Sequence, residues 1–197
     1  MNQYHFLEYE DIQAIQKWHM WLDDNRGDRA RLRRAESPED ILLTDAFFHF
    51  LKKMPQSGHG PDKWRENLLI SASIAGALSL VKADKQSHSR IHNNKGSDEI
   101  KKMASFAEQL ATPIEGKSNA PMSELRFQQL QKSTTTDDFY RRIMRAIQLL
   151  NGGVNIVSLA NDIFHWHKEF THQSSYSPAH RLAVRWATDY FTVYAKN

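Results

Sequence analysis

Between Leu68 and Val81 the chain reads LLISASIAGALSLV, fourteen residues without a charge or a proline. A helix that is apolar on every face has to be covered on every face. The run is shorter than the roughly 18 residues of a membrane-crossing helix, so it reads as a helix buried inside protein. The rest of the chain suits such packing. Gly and Pro make up about 7% of it, against about 12% on average, and there are five Val. Few breakers and few strand formers favour helices over sheets. The expected fold class is all-α.

Helical periodicity runs along most of the 197 residues. Ile12, Ile15, Trp18 and Leu22 share one face of a helix over 10–22, which Asp23–Asp28 is expected to break. Ser37-Pro38-Glu39-Asp40 reads as a helix start, with Ser as N-cap, Pro at the first position and acids in the first turn. The helix that follows places Leu43, Phe47, Phe50, Leu51 and Met54 on one side, and Pro55–Pro61 ends it. The apolar run extends into a long helix over 62–81. Residues 84–98 are polar and aperiodic, so they read as a mobile loop, with a helix expected from Asp98 to Leu110. Helices are expected at 122–132, 136–150, 155–169 and 178–195. Thr135 with Asp138 has capping-box spacing, Asn151-Gly152-Gly153 stops one helix, and Asn155 caps the next. The expectation is two small helical bundles, residues 1–117 and 118–197, the second of about four helices.

The chain has no Cys, which excludes a disulfide scaffold, a thiolate zinc site, a Cys nucleophile and an iron–sulfur cluster. Residues 1–10 have neither a basic start nor an apolar core, so they do not read as a signal peptide. Both points fit a cytoplasmic setting. There is no Gly-rich phosphate loop, HExxH, GxSxG or nuclease-like cluster of carboxylates. A binding protein without cofactor or metal is therefore expected, rather than an enzyme.

The formal net charge is only +3, but it is segmented. Residues 1–25 hold one Lys and five acids, whereas Arg26–Arg34 (RGDRARLRR) hold five Arg and one Asp. Like charges so close repel unless an anion lies between them, and nucleic-acid phosphate is the commonest such anion. The competing reading is pairing with the acidic blocks on either side. At about 100° per residue, the helix at 136–150 places Phe139, Ile143, Ala146, Ile147 and Leu150 on one face. Arg141, Arg142 and Arg145 fall opposite, where guanidiniums can grip successive phosphates bidentately. Arg126 and Lys132, six residues apart on the helix before it, point to different faces. Asp162, His165 and Glu169 share a flank of the helix at 155–169, where pairing of His165 with Glu169 is expected rather than a metal. Trp166 and Trp186 fall on apolar stripes and read as core. His88, His92 and Lys95 read as solvated loop residues.

Taken in order, these features resemble the CasB family, the small subunit of the type I-E CRISPR Cascade effector complex. The resemblance rests on Gly27-Asp28-Arg29-Ala30-Arg31-Leu32-Arg33-Arg34-Ala35, Ser37-Pro38-Glu39 and Phe47-Phe48. It continues through Arg126-Phe127 with Leu130, Phe139-Tyr140-Arg141-Arg142 and Leu149-Leu150. Leu159, Asp162 and Trp166 follow, and Trp186 with Tyr190-Phe191 complete the set. The stretch 84–98 and the C-terminal tail look longer than in short members of the family.

The resemblance implies two helical bundles and a second copy packed head-to-tail. It implies partners among the backbone and large subunits of Cascade, guide RNA, target DNA and the displaced strand. It further implies basic residues lining a nucleic-acid groove: Arg33, Arg34, Lys63, Arg126, Lys132, Arg141 and Arg142. Lys63 and Lys132 stand where it calls for Arg. Arg145 joins this set from the helical wheel alone. The rival readings are a free-standing helical DNA-binding regulator, an enzyme built on Asp162, His165 and Glu169, and an assembly protein whose Arg patches bind acidic partner surfaces.

Overall fold

The computed structural model describes residues 6–56, 62–85, 90–92, 98–100, 104–172 and 177–195. Ten α-helices account for most of them, as expected from the scarcity of breakers. The first, α1 (Tyr9–Asp24), starts in a capping box in which the Asp11 carboxylate accepts from the Glu8 N–H at 2.8 Å. The expected break at Asp23–Asp28 shrinks to Asn25, because the basic segment is itself a helix, α2 (Arg26–Arg34). Beyond it, Ser37 caps α3 (Pro38–Leu42) in a box with Asp40. The single helix expected there is two. Thr44 Oγ1 accepts from the Phe47 N–H and opens α4 (Asp45–Lys53), so the chain turns at Leu43, which stands exposed instead of joining the apolar face.

The apolar run forms α5 (Leu68–Leu80), with every residue from Ile70 to Ser79 buried. It begins at Leu68 and not Asp62, because residues 62–66 make a separate capped turn in which Asp62 Oδ1 accepts from the Trp64 and Arg65 N–H groups. Its serines survive burial by donating to backbone carbonyls: Ser71 to Trp64, Ser73 to Leu69 and Ser79 to Gly76, at 2.6–2.7 Å. Gly76 has no room for a side chain, since a Cβ there would stand 2.2 Å from the Tyr140 hydroxyl and 2.3 Å from Ile41 Cδ1.

The C-terminal end of α5 leaves carbonyls that α-helical bonding cannot satisfy. Arg29 Nε and Arg33 Nε donate to Ser79 O at 3.0 and 2.8 Å. Arg29 Nη2 and His19 Nε2 both meet Val81 O. Arg29 also pairs with Asp23. Part of the arginine cluster is thus spent on the fold.

The expected loop at 84–98 contains strand structure. β1 (Ala83–Asp84) pairs in parallel with β4 (Gly153–Val154), and β2 (Arg90–His92) pairs antiparallel with β3 (Asp98–Ile100). His88 and Lys95 lie outside the described residues, as do the side chain of His92 and the remainder of that loop. The helix expected from Asp98 starts only at Phe106: α6 (Phe106–Ala111) opens where Ser105 and Glu108 form a capping box.

The last third follows the periodicity closely, with α7 (Glu124–Gln131), α8 (Thr136–Leu149), α9 (Ile156–His172) and α10 (Leu182–Tyr194). Thr135 Oγ1 accepts from the Asp138 N–H, and Asn155 Oδ1 from the Ser158 N–H. Gly152, at φ +80°, provides the left-handed turn after α8, and its carbonyl receives the Lys82 and Ala83 N–H groups. Packing runs across position 117: α5 touches both α8 and α9, and α6 lies against α10. Phe127 stacks on Tyr190 at 3.9 Å and Phe139 on Trp166 at 4.0 Å. Trp166 and Trp186 are both buried, as their apolar stripes predict. Among the described residues no helix is long and apolar enough to cross a membrane.

Candidate functional site

Helix α8 is strongly two-sided. Phe139, Ile143, Ala146 and Ile147 are buried, and the arginines lie on the other side. That side is not uniform. Arg142, Arg145 and Gln148 follow Asp138 at spacings of three and four, so they share a flank. Helix α7 lies against this flank and contributes Arg126 and Gln129. Between the two helices is an open cavity of about 530 Å³, floored by Met122, Leu130 and Leu149. Three guanidiniums and one carboxylate face into it, a net charge of +2.

The carboxylate orients one of the cations. Asp138 Oδ1 accepts from Arg142 Nε at 2.9 Å, with both side chains about 30% exposed. Occupying Nε leaves the two terminal amino groups of Arg142 for other acceptors. Arg126 and Arg145 are exposed. A second hollow of about 380 Å³ shares Leu149 with the first and is walled by Lys117, Ser118, Asn119 and Pro121. Gly116 takes φ +81° in that loop, a left-handed turn that suits glycine.

The structure therefore brings Arg126, Arg142 and Arg145 together and leaves the other expected residues apart from them. Arg141 is exposed on the far side of α8, with its Nε 3.4 Å from Asp137 O. Lys132 ends α7 and is exposed. Arg34 is exposed at the end of α2. Arg33 is turned toward the end of α5, where burial lowers its pKa and neighbouring Arg29 lowers it further. Lys63 is tied into the fold: its ammonium pairs with the buried Asp11 carboxylate and donates to Phe6 O at 3.2 Å. Asp11 also accepts from Trp64 Nε1 at 2.8 Å.

The flank of Asp162, His165 and Glu169 is spent on packing. Asp162 accepts from Trp186 Nε1 at 2.8 Å and pairs with Arg185. Burial raises its pKa, while Arg185 pulls it back. His165 Nε2 meets Glu169 Oε1 at 2.9 Å, the expected pairing, although His165 is buried and not on the surface. Glu169 also accepts from the Leu182 N–H at 2.9 Å and so caps α10.

Sequence reasoning missed Gln148 and Lys117, and it read Asp138 as a capping residue of the helix and not as the partner that orients Arg142. The 138, 142, 145, 148 spacing was available. What it lacked was the position of α7 against that flank.

No curated protein and no solved structure matches the chain. The family model for CRISPR-associated protein Cse2 matches residues 28–191. That span starts inside the Arg26–Arg34 helix and takes in α7, α8 and nearly all of α10. The chain belongs to the Cse2 family, the small subunit of the type I-E CRISPR Cascade complex, also called CasB.

Proposed function

We propose that this chain is a non-catalytic clamp that holds nucleic-acid phosphates when Cascade opens a target. Base pairing between guide RNA and the target strand supplies sequence specificity. The displaced DNA strand must then be kept from reannealing. A basic groove can hold that strand, and brace the guide–target duplex, through phosphates without reading bases. The observation that carries this reading is the convergence of Arg126, Arg142 and Arg145 on one cleft from two helices. Guanidiniums that line one cleft suit bidentate grip on successive phosphates. Exposed Arg34, Lys132 and Arg141 act as outer contacts, and a second copy packed head-to-tail lengthens the basic path.

The test is replacement of Arg142 and Arg145 with Ala in the assembled complex. Target capture weakens, while thermal stability and subunit composition stay the same. Unchanged capture in that variant refutes the reading. Affinity purification after nuclease treatment separates it from a free-standing regulator: the clamp brings down other Cascade subunits with a short RNA of uniform length.

A further inference from the structure

The cleft between α7 and α8 contains more than a phosphate needs. Phosphate is satisfied by the three guanidiniums and gains nothing from an aliphatic floor. The floor of Met122, Leu130 and Leu149 is there, and the amides of Gln129 and Gln148 stand at its rim. A nucleobase gains from both. Its flat face removes apolar surface from water, and its pairing edge presents adjacent donors and acceptors. A primary amide offers two donors and an acceptor to match them. That edge is free only in an unpaired strand, because in a duplex it is occupied by the partner base. The cavity of about 530 Å³ falls within the roughly 300–1,000 Å³ that encloses small organic ligands. The adjoining hollow at Lys117 and Asn119 continues the path past Leu149.

We infer that the cleft receives one unpaired nucleotide of a single strand, with its base on the Met122–Leu130–Leu149 floor and its edge against Gln129 and Gln148. Its flanking phosphates lie on Arg126, Arg142 and Arg145, and the next nucleotide passes over the hollow at Lys117. This rests on the phosphate-holding reading and narrows it from any nucleic acid to a single strand with bases.

The experiment uses the full chain at about 50 mM salt, where phosphate contacts are strong, and fluorescence anisotropy with three probes. These are a short oligothymidylate, an abasic strand of the same length and phosphate count, and a duplex of that length. The oligothymidylate is expected to bind about fivefold more tightly than the abasic strand, no more than the low end of aromatic stacking because this floor is aliphatic, and more tightly than the duplex. Gln129→Ala with Gln148→Ala lowers that ratio and leaves abasic binding unchanged. Arg142→Ala with Arg145→Ala weakens both strands together.

Equal binding of the base-bearing and abasic strands, with the arginine dependence intact, overturns the base site and leaves the phosphate reading standing. A duplex that binds as tightly as the single strand does the same. Binding to none of the probes, or binding indifferent to the arginines, overturns both.

Discussion

Lys63 separates a residue that supports the fold from one that touches a ligand. Its ammonium pairs with Asp11, whose side chain is 2% exposed. Lys63→Ala leaves that carboxylate buried with two donors, Trp64 Nε1 and the Glu8 N–H, each at 2.8 Å. Removing one partner of a buried ion pair costs about 3–5 kcal/mol. Lys63 itself is 32% exposed, so water replaces part of what is lost, and the two remaining donors hold some of the charge. The expected cost is about 2–3 kcal/mol. For a domain of this size each kcal/mol moves Tm by about 2–4 °C, so Lys63→Ala should melt roughly 4–12 °C lower. Arg142→Ala breaks a partly exposed pair with Asp138, worth at most about 1 kcal/mol, and should melt within a few degrees of the parent. Differential scanning fluorimetry on the two variants reads both numbers. A Lys63→Ala protein that melts like the parent, yet loses target capture as Arg142→Ala does, refutes the reasoning.

Two further substitutions probe the core. His167 is buried beside Ser73 Oγ at 3.2 Å, and burial takes its pKa from 6.5 down to about 4. Between those values the unfolded chain binds a proton that the folded chain refuses, so this histidine lowers stability as pH falls through that window and costs nothing above it. Asp162 and Glu169 are raised by burial and act in the opposite direction, so the readout is the difference between parent and His167→Gln. The parent should lose more Tm from pH 7 to 4.5, and parallel curves count against the account. The Tyr140 hydroxyl is buried against Gly76 and has no hydrogen-bond partner among the described residues. Tyr140→Phe removes that desolvated group and should raise Tm by about 2–4 °C; a lower Tm shows that the hydroxyl has a partner.

The last third of the fold was legible because its signals are local. Thr and Asn caps, the Asn151-Gly152-Gly153 stop and the 3.6-residue period of α8 all act within one or two turns. The same logic failed at Leu43 and Asp98, where capping hydrogen bonds from Thr44 and Ser105 restart helices that periodicity alone runs together or extends. The roles of the arginines were only half legible. RGDRARLRR announces a basic cluster, but nothing local tells that Arg29 and Arg33 satisfy carbonyls of Ser79 and Val81, about fifty residues away. Lys63 is the same case, since its partner Asp11 lies on α1, about fifty residues away. Arg145, which the wheel alone put forward, lines the cleft with Arg126 and Arg142. Arg141, one position before Arg142, does not, because α7 covers only one flank of α8.

The central claim is that this cleft holds phosphates, and salt dependence tests it most directly. Each phosphate contact on a single strand adds about 0.7 to the log–log slope of affinity against salt. In the assembled complex, Arg126→Ala, Arg142→Ala and Arg145→Ala combined should lower that slope by about 2 while the complex stays intact and melts as the parent does. A slope equal to the parent's across the series contradicts the claim.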